Sequence, residues 1–547
     1  MKRIVCLLLA VCLLGACLTA CGQAQPQPQK EPQDAETVKE NDLPKAPEAP
    51  ETPETPEAAE AAKTPAEGEF PSNDISASQV VTGERVLENV SFVVAYDPFI
   101  YKEKDEEEIR RTTLYSGDMS DQIVTGLHRA GELEAVIPEI PNVTSQTEIN
   151  KGFDFSEVNR AAGRAGGQDP IYEKGDTHVF FCFDSTASFR IQEEFTCVYE
   201  GEHCYIWSLN NSIGEADGAQ VAAEFDGKIF DRDTTYFGTP RFTENGGKVN
   251  VLFYPMPEGL CGFFCTGDIY SSLEAPQSVA ERYKLNTDHA IININSKMLG
   301  KNMPEVYSTL AHELQHQICA TEAFYYVDSP FVQMWLDEAM AACAEELCYP
   351  GIKIEGYYNL LMYFSDNFRK GQSLYNFENE TDEFIGAYGA VYLFEEYLTQ
   401  HAGEDVFSKI HNYWKTSYRS DVTEAQAIYA SVPQSFIDEI NEKYSFPTSI
   451  SAGFRSPEEE WMSKMTLDFY LEAISPELGQ LMSYTDKARI SMLYSEVNPL
   501  DIQGGGRVIV ACENGSFTIP DDAGKGLIFI GLDKNFNVVT EVYTNAR

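Results

Sequence analysis

The chain of 547 residues has few positive charges. It carries 40 Lys and Arg against 86 Asp and Glu, which gives a formal net charge of −46 at pH 7. Such a chain repels phosphate backbones and anionic headgroups, so the composition argues against nucleic acid and against an anionic bilayer surface as ligands. Solubility is the simplest explanation of the acidic excess, and a preference for cationic or neutral substrates is the functional alternative.

Long apolar runs are scarce. The run from Ile4 to Ala16 follows a basic start and is too short to span a bilayer, and no later segment approaches 18 consecutive apolar residues. The next residues, Leu18-Thr19-Ala20-Cys21-Gly22, resemble a bacterial lipobox, which implies that Cys21 is the lipidated first residue of the mature protein. Cys17 ends a second, less well placed match, and an ordinary secretion signal is the alternative.

The segment after the lipobox has almost no large apolar residues before Phe70. Residues 22–75 consist mainly of Pro, Glu, Ala, Gln and Thr, so they cannot form a core and are predicted to be a disordered tether. Proline keeps such a segment extended. We therefore expect an extracytoplasmic protein of the cell envelope, attached to the membrane through its N-terminal lipid.

The cysteines of the chain do not follow a pattern that is typical of a disulfide framework. Of 13 cysteines, nine lie beyond the signal region, and both their odd number and their spacing argue against a set of structural bridges. Cys261 and Cys265 have no second pair nearby that would complete a metal site. One bridge, for example Cys197 with Cys204, remains open.

The most informative motif is His312-Glu313-Leu314-Gln315-His316, which matches the pattern H-E-x-x-H. On a helix, residues four apart share one face, so both imidazoles can bind the same zinc ion. Glu313 then lies beside the metal, where it can act as the general base that takes a proton from a zinc-activated water. Two ordinary histidines on an amphipathic helix are the alternative.

The residues around the motif predict a helix that has an apolar stripe on one side and a separate stripe with His312 and His316. Pro304 suits its first turn, and an apolar residue recurs every four positions. A second helix is predicted from Ser329-Pro330 to Cys348, before the stop at Pro350-Gly351, and it contains Glu338 as a candidate third ligand. The apolar stripe of the first helix is Val306, Leu310, Leu314 and Ile318.

The segments HELQH, WLDEA and AEE together resemble the gluzincin zinc metallopeptidases, the thermolysin and aminopeptidase N type enzymes, and among them the hyicolysin type. The resemblance implies that Glu338 is the third zinc ligand and that Glu345 orients a ligand histidine. This chain has Asp337 where those enzymes usually have Asn, and Ala339 where they usually have Gly. The extra carboxylate of Asp337 leaves open which acid binds the metal.

The resemblance covers roughly residues 215 to 440 and implies further parts of the site. Residues 261–265 would form an edge strand that pairs with an extended peptide substrate. Tyr388, within a segment similar to a helix of the same family, would donate a hydrogen bond to the oxyanion. Tyr392 is the first alternative donor, and His401 and His411 are weaker ones.

The predicted fold class is α+β. A thermolysin-like catalytic domain at 211–450, with a small mixed sheet and zinc helices, follows a β-rich domain at 76–210. A helical segment and a small β module are predicted at 451–547, and residues 1–21 are predicted to be a lipoprotein signal peptide. Strands are predicted near 90–96, 178–183, 195–199, 204–207, 248–254, 290–295, 507–510 and 527–530.

The predicted function is hydrolysis of peptide bonds by a zinc-dependent endopeptidase at the cell surface. The aminopeptidase signature G-x-M-E-N, which captures a free amine, is absent, because Leu260-Cys261-Gly262-Phe263-Phe264 occupies the comparable place. This favours internal cleavage of a peptide or protein substrate. Two alternatives remain: an inactive peptidase-fold lipoprotein that binds or scaffolds, and a zinc hydrolase that acts on wall crosslinks.

Overall fold

A computed structural model describes most of the chain after residue 78. The described residues are 79–81, 85–100, 111–115, 170–184, 190–243, 247–257, 260–301, 303–325, 333–351, 371–375, 384–417, 422–473, 500–512, 514–521 and 523–544. The signal segment, Cys21 and the tether lie outside them. The chain divides into two units, Met1–Ser72 and Asn73–Arg547, and every described residue belongs to the second. Within these ranges, no helix combines the length and the apolarity needed to cross a bilayer.

Strands and helices both contribute to the described fold. The strands are β1 Gln79–Val81, β2 Arg85–Glu88, β3 Phe92–Tyr96, β4 Arg111–Tyr115, β5 Thr177–Phe183, β6 Arg190–Glu200, β7 Cys204–Ser208, β8 Val249–Tyr254, β9 Gly262–Phe263, β10 Ile291–Asn295, β11 Leu500–Gln503, β12 Arg507–Ala511, β13 Ser516–Ile519, β14 Ile528–Leu532 and β15 Val538–Thr544. The α-helices are Glu215–Glu224, Phe230–Phe237, Gln277–Tyr283, Met303–Cys319, Met334–Cys348, Phe384–Ala402, Val406–Ser417, Glu424–Ser431, Gln434–Lys443, Thr448–Ser451 and Pro457–Glu472. The protein is therefore a mixed α+β protein, as its sequence predicts.

The larger described sheet has six strands in the order β5-β6-β7-β8-β10-β9. The strands β5, β6 and β7 are antiparallel, whereas β7, β8 and β10 run parallel. Every residue of β8 and β10 is buried, because apolar clusters cover both faces of the sheet there. The short strand β9 pairs antiparallel with β10 at the edge of the sheet, which confirms the predicted edge strand.

The structure differs from the predicted domain boundary at residue 210. The predicted strands β5, β6 and β7 are present, and Gly201 N donates to Cys204 O at 2.8 Å in the predicted hairpin turn. However, β7 pairs in parallel with β8, so these strands belong to the sheet that also carries the candidate site. Alternating apolar residues predict a strand, but they do not identify the strand that will pair with it.

The second large sheet joins two distant parts of the chain. Its five described strands run β1-β15-β14-β3-β12, so β3 lies between two strands of the predicted C-terminal module. Val94 and Tyr96 pack with the helices, and Val93 and Ala95 pack into a separate cluster on the other face. The C-terminal strands were predicted correctly, whereas the insertion of β3 between them was not predicted.

Two helices that follow β10 carry the candidate site. The first, Met303–Cys319, is named the histidine helix, and the second, Met334–Cys348, is named the carboxylate helix. The two helices pack against each other, and the predicted apolar stripe of the histidine helix is fully buried. Ser329 and Pro330, the predicted start of the second helix, lie outside the described residues.

All nine cysteines beyond the signal region are free thiols in the structure. The bridge left open between Cys197 and Cys204 is not formed. Cys319, Cys343 and Cys348 are buried on the two packed helices, where they act as small apolar side chains.

Candidate metal site

Two histidines and one glutamate converge between the packed helices. The Nε2 atoms of His312 and His316 lie 3.1 Å apart on one face of the histidine helix. From the carboxylate helix, Oε2 of Glu338 lies 3.2 Å from Nε2 of His312 and 3.6 Å from Nε2 of His316. One ligand atom from each of these residues lies within 4.8 Å of the others, so the three can hold a single metal ion.

A carboxylate binds the opposite nitrogen of each histidine. Nδ1 of His312 lies 2.7 Å from Oε1 of Glu345, and Nδ1 of His316 lies 2.9 Å from Oδ2 of Asp337. Because a carboxylate only accepts, Nδ1 carries the hydrogen of each neutral ring and Nε2 offers its lone pair. Two lone pairs 3.1 Å apart repel each other unless positive charge lies beside them. This donor set of two nitrogens and one oxygen fits a divalent ion such as zinc.

The electrostatics of the cluster also favour a cation. Burial alone would lower the pKa of His312, but the carboxylates of Glu338 and Glu345 raise it to about 9. Burial would raise the pKa of Glu338, but the two histidines hold it well below its usual range. The cluster therefore attracts positive charge, and a metal ion would compete for these positions with protons.

Asp337 and Glu338, whose roles the sequence leaves open, make different contacts with His316 in the structure. Glu338 presents its carboxylate to the Nε2 atoms of both histidines, whereas Asp337 contacts His316 from the Nδ1 side. Adjacent helical residues point about 100° apart, so one helix can present these acids to opposite sides of one imidazole. Glu338 thus lies where a ligand would lie, and Asp337 lies where it can orient one.

The contact of Glu345 is completed by a residue that the sequence analysis missed. Ser308 donates its hydroxyl hydrogen to Oε2 of Glu345, whose other oxygen accepts from His312. Ser308 precedes His312 by one helical turn. The sequence alone could therefore have placed both residues on the same face of the helix. Glu345 follows Glu338 by two turns and therefore faces the same way.

Glu313 is almost completely buried beside the cluster. It is only 4% exposed, and this burial raises its pKa to about 7, although His312 and His316 act in the opposite direction. A carboxyl group in that range can accept a proton and return it near neutral pH.

The structure describes the helix of the predicted oxyanion donor, Tyr388, but not its side chain. Tyr388 lies on the helix Phe384–Ala402, and its side chain is outside the described part of the chain. The hydroxyl of the alternative, Tyr392, lies 3.4 Å from Oε1 of Glu346 and 3.2 Å from Oε1 of Glu396. Neither glutamate belongs to the metal cluster, so these contacts hold Tyr392 to other groups.

The two histidines named as weaker donors also have other surroundings. Nε2 of His401 lies 2.9 Å from Oε2 of Glu472. His411 is completely buried, and this burial lowers its pKa to about 4. Neither residue belongs to the group of side chains that converges on the candidate metal position.

The edge strand approaches the histidine helix closely at Gly262. A Cβ atom at this position would lie 2.7 Å from Asn293 O and 2.7 Å from Cγ2 of Thr309, which belongs to the histidine helix. Only glycine permits this approach without movement of its neighbours. Next to it, Cys261 O accepts a hydrogen bond from Asn295 N at 2.8 Å, which fixes the strand to the sheet.

The fold and the cluster define a mixed α+β protein with a His-His-Glu site between two helices. No protein-family model matches the chain. It is similar to the neutral metalloprotease ShpI of Staphylococcus hyicus, with 29% identity over 226 residues, 39% of this chain and 49% of that relative. The chain thus spans about half the length of this relative. The similarity to this metalloprotease and the His-His-Glu cluster both support the resemblance to metallopeptidases that the sequence shows.

Among solved structures, the chain has a weak likeness to yeast LTA4 hydrolase in complex with bestatin. The match covers 49% of this chain and 39% of that chain, with 12% sequence identity and a TM-score of 0.27. This value is too low for the likeness to carry an argument about fold or function.

Proposed function

We propose that this protein is a zinc-dependent endopeptidase of the cell surface that hydrolyses peptide bonds. The observation that carries the proposal is the convergence of His312, His316 and Glu338, with the buried Glu313 on the same helix. The name of the relative ShpI, a neutral metalloprotease, supports the same reaction class. An inactive scaffold does not need a buried carboxylate beside the two histidines.

In this proposal, His312, His316 and Glu338 hold zinc, while Glu345 and Asp337 keep the two imidazoles oriented. Bound zinc would supply positive charge that acidifies a water molecule and polarises the scissile carbonyl. The role of Glu313 follows from its position in the motif. It would take the proton from the attacking water and transfer it to the leaving amine.

The proposed substrate is an extended stretch of peptide. The strand β9 has β10 on one side and lies at the edge of the described sheet, close to the histidine helix. Its backbone can pair with the backbone of a peptide, which would place a scissile bond beside the cluster. Tyr388 remains the proposed donor to the oxyanion, on the basis of the sequence resemblance.

The cellular location is proposed from the N-terminal sequence. The lipobox resemblance of residues 18–22 supports a lipid anchor at Cys21, and the Pro-rich segment after it supports a tether. The catalytic unit would then act outside the cytoplasm on proteins or peptides near the envelope.

The decisive test compares the wild type with Glu313→Gln in protein that lacks residues 1–75, a deletion that removes none of the described residues. Wild type should contain about one zinc per chain and cleave an unstructured protein such as casein. Glu313→Gln keeps the size of the side chain, so zinc should remain while cleavage is lost. Equal cleavage by the two proteins would refute the proposed role of Glu313.

Zinc content without any cleavage by the wild type would favour the alternative, an inactive peptidase-fold lipoprotein that binds or scaffolds. A digest of a peptide library by the wild type, with the Glu313→Gln protein as background, would then distinguish narrow specificity from inactivity. Cleavage at internal bonds is the expected result for an endopeptidase.

A further inference from the structure

A second cluster of titratable groups lies outside the candidate metal site. The hydroxyl of Tyr172 lies 2.8 Å from Nε2 of His289 and 3.2 Å from Nδ1 of His178. Tyr172 lies before β5, His178 is on β5, and His289 directly precedes the segment that enters β10. Tyr172 and His289 are buried and His178 is half-buried, so one phenol connects a histidine on β5 with a histidine in the loop before β10.

The hydrogen bonds of this cluster determine where its protons lie. Nδ1 of His289 is 2.7 Å from Thr287 O, and a carbonyl only accepts, so Nδ1 carries the hydrogen. Nε2 of the neutral ring is then an acceptor, and Tyr172 donates its hydroxyl hydrogen to it. The oxygen of Tyr172 can then accept a hydrogen bond from Nδ1 of His178, which carries a hydrogen in this arrangement.

The cluster can take up one further proton without losing a contact. If Nε2 of His289 becomes protonated, it donates to the oxygen of Tyr172. The hydroxyl of Tyr172 then turns to Nδ1 of His178, whose own hydrogen moves to Nε2. Every donor still has an acceptor, because the direction of both hydrogen bonds has simply reversed.

A second added proton is unfavourable because it places positive charge on both imidazoles. Both imidazoles would then donate to the oxygen of Tyr172, and neither ring nitrogen could accept its hydroxyl hydrogen. The two rings would also be cations, with centroids only 4.9 Å apart. Like charges at this separation in a buried place repel strongly, so the contact should open.

The surrounding charges do not remove this repulsion. Asp288 and Asp268 face His289 and favour its charged form, but Asp268 already pairs with Arg190 at 2.7 Å. Burial, followed by the charge of His178, lowers the pKa of His289 to about 4. Burial lowers the pKa of His178 as well. Because the buried rings favour the neutral state, the contact is complete above the ordinary histidine range near pH 6.5 and weakens as the pH falls toward 4.

Tyr172 also fastens the chain that leads into β5. Its backbone N–H donates to the hydroxyl of Tyr205 at 3.2 Å, and its ring packs edge-to-face on Trp207 with centroids 4.9 Å apart. Both partners belong to β7 in the centre of the six-stranded sheet. The position of residues 170–173 therefore depends on where Tyr172 lies.

We propose that Tyr172, His178 and His289 form an acid-sensitive latch, which holds residues 170–173 against the six-stranded sheet while its rings are neutral and releases them when both rings are protonated. The latch shares no residue with the proposed zinc site. It therefore goes beyond the proposed function and does not depend on it.

The test is hydrogen–deuterium exchange of the full chain, measured by mass spectrometry between pH 7 and pH 4 and corrected for the intrinsic pH dependence of exchange. The peptide that covers residues 170–176 should lose about tenfold or more of its protection as the pH falls from 6.5 to 4. A peptide from β14, which lies in the other sheet, should keep its protection. Equal protection of residues 170–176 at pH 7 and pH 4 would overturn the latch.

Three variants separate the latch from general acid unfolding. His289→Gln cannot become charged, so residues 170–176 should stay protected at pH 4, and His178→Gln should give the same result if the first variant does not fold. His401→Gln is the matched control, because His401 is a half-buried histidine bound to Glu472, and it should keep the wild-type profile. An unchanged loss of protection in both His289→Gln and His178→Gln would refute the proposal.

Discussion

The carboxylate of Asp337 lies 2.9 Å from Nδ1 of His316, on the side of the imidazole that faces away from the candidate metal position. Its neighbour Glu338 approaches Nε2 of the same ring. Two consecutive residues of one helix therefore contact opposite sides of one histidine. One of them can bind the metal, and the other can fix the tautomer that makes the histidine a ligand.

Replacement of Asp337 by Asn should weaken zinc binding without abolishing it. Asn keeps the size of the side chain and can still accept from Nδ1 of His316, but it removes the negative charge behind the ring. The zinc affinity should fall by about 10- to 100-fold, measured by competition with a chromophoric chelator. Glu442→Gln, which removes an exposed acid from another helix, should leave the affinity unchanged. If Asp337→Asn bound zinc as tightly as the wild type, the negative charge of Asp337 would contribute nothing to zinc affinity.

Replacement of Glu338 by Ala should reduce zinc binding more than replacement of Asp337, because Glu338 is a proposed ligand whereas Asp337 only orients the ligand His316. Purified Glu338→Ala should contain much less than one zinc per chain, whereas Asp337→Ala should still bind zinc when the metal is in excess. Metal content after dialysis, together with circular dichroism to verify folding, distinguishes the two variants. The reverse order of zinc content would assign the third ligand to Asp337.

Sequence patterns predicted the local parts of this site because helical spacing is a local property. The positions of His312, Glu313 and His316 follow from one motif, and the stripe of Leu310 and Leu314 predicts which side of their helix is buried. The strand β9 was also placed correctly at the edge of a sheet. The helix predictions depend on residues close together in the chain, whereas the edge position of β9 came from the family resemblance.

Contacts between distant segments could not be predicted in the same way. The strand β3 pairs with β12 and β14, which follow it by more than 400 residues, and nothing in its own residues selects those partners. The contacts of Asp337 and Ser308 depend on how two helices pack. The sequence therefore left the role of Asp337 open, and helical spacing could place Ser308 on the face of His312 but could not show its contact with Glu345. Tyr388 stays a prediction, since its side chain lies outside the described residues.

The close approach of β9 to the histidine helix should be sensitive to a single methyl group. Gly262→Ala places a Cβ atom 2.7 Å from both Asn293 O and Cγ2 of Thr309, so the strand must move. The expected loss is about 1–3 kcal/mol in the free energy of unfolding, with reduced peptide cleavage and unchanged zinc content. Urea unfolding and a cleavage assay measure the two effects. Gly227→Ala is the control, because no atom lies within 4 Å of its added Cβ, and an equal loss in both variants would contradict the explanation.

The buried ion pair between Arg190 and Asp268 should matter far more than an exposed pair of the same type. Arg190 Nη2 lies 2.7 Å from Oδ2 of Asp268, and both side chains are almost completely buried. Arg190→Met leaves the carboxylate of Asp268 without its cation, so the free energy of unfolding should fall by about 3–5 kcal/mol. Lys174→Met, which breaks an exposed pair with Glu215, should cost no more than about 1 kcal/mol. Urea unfolding at pH 7 compares the two variants, and similar losses would mean that burial does not control the contribution of the Arg190 pair.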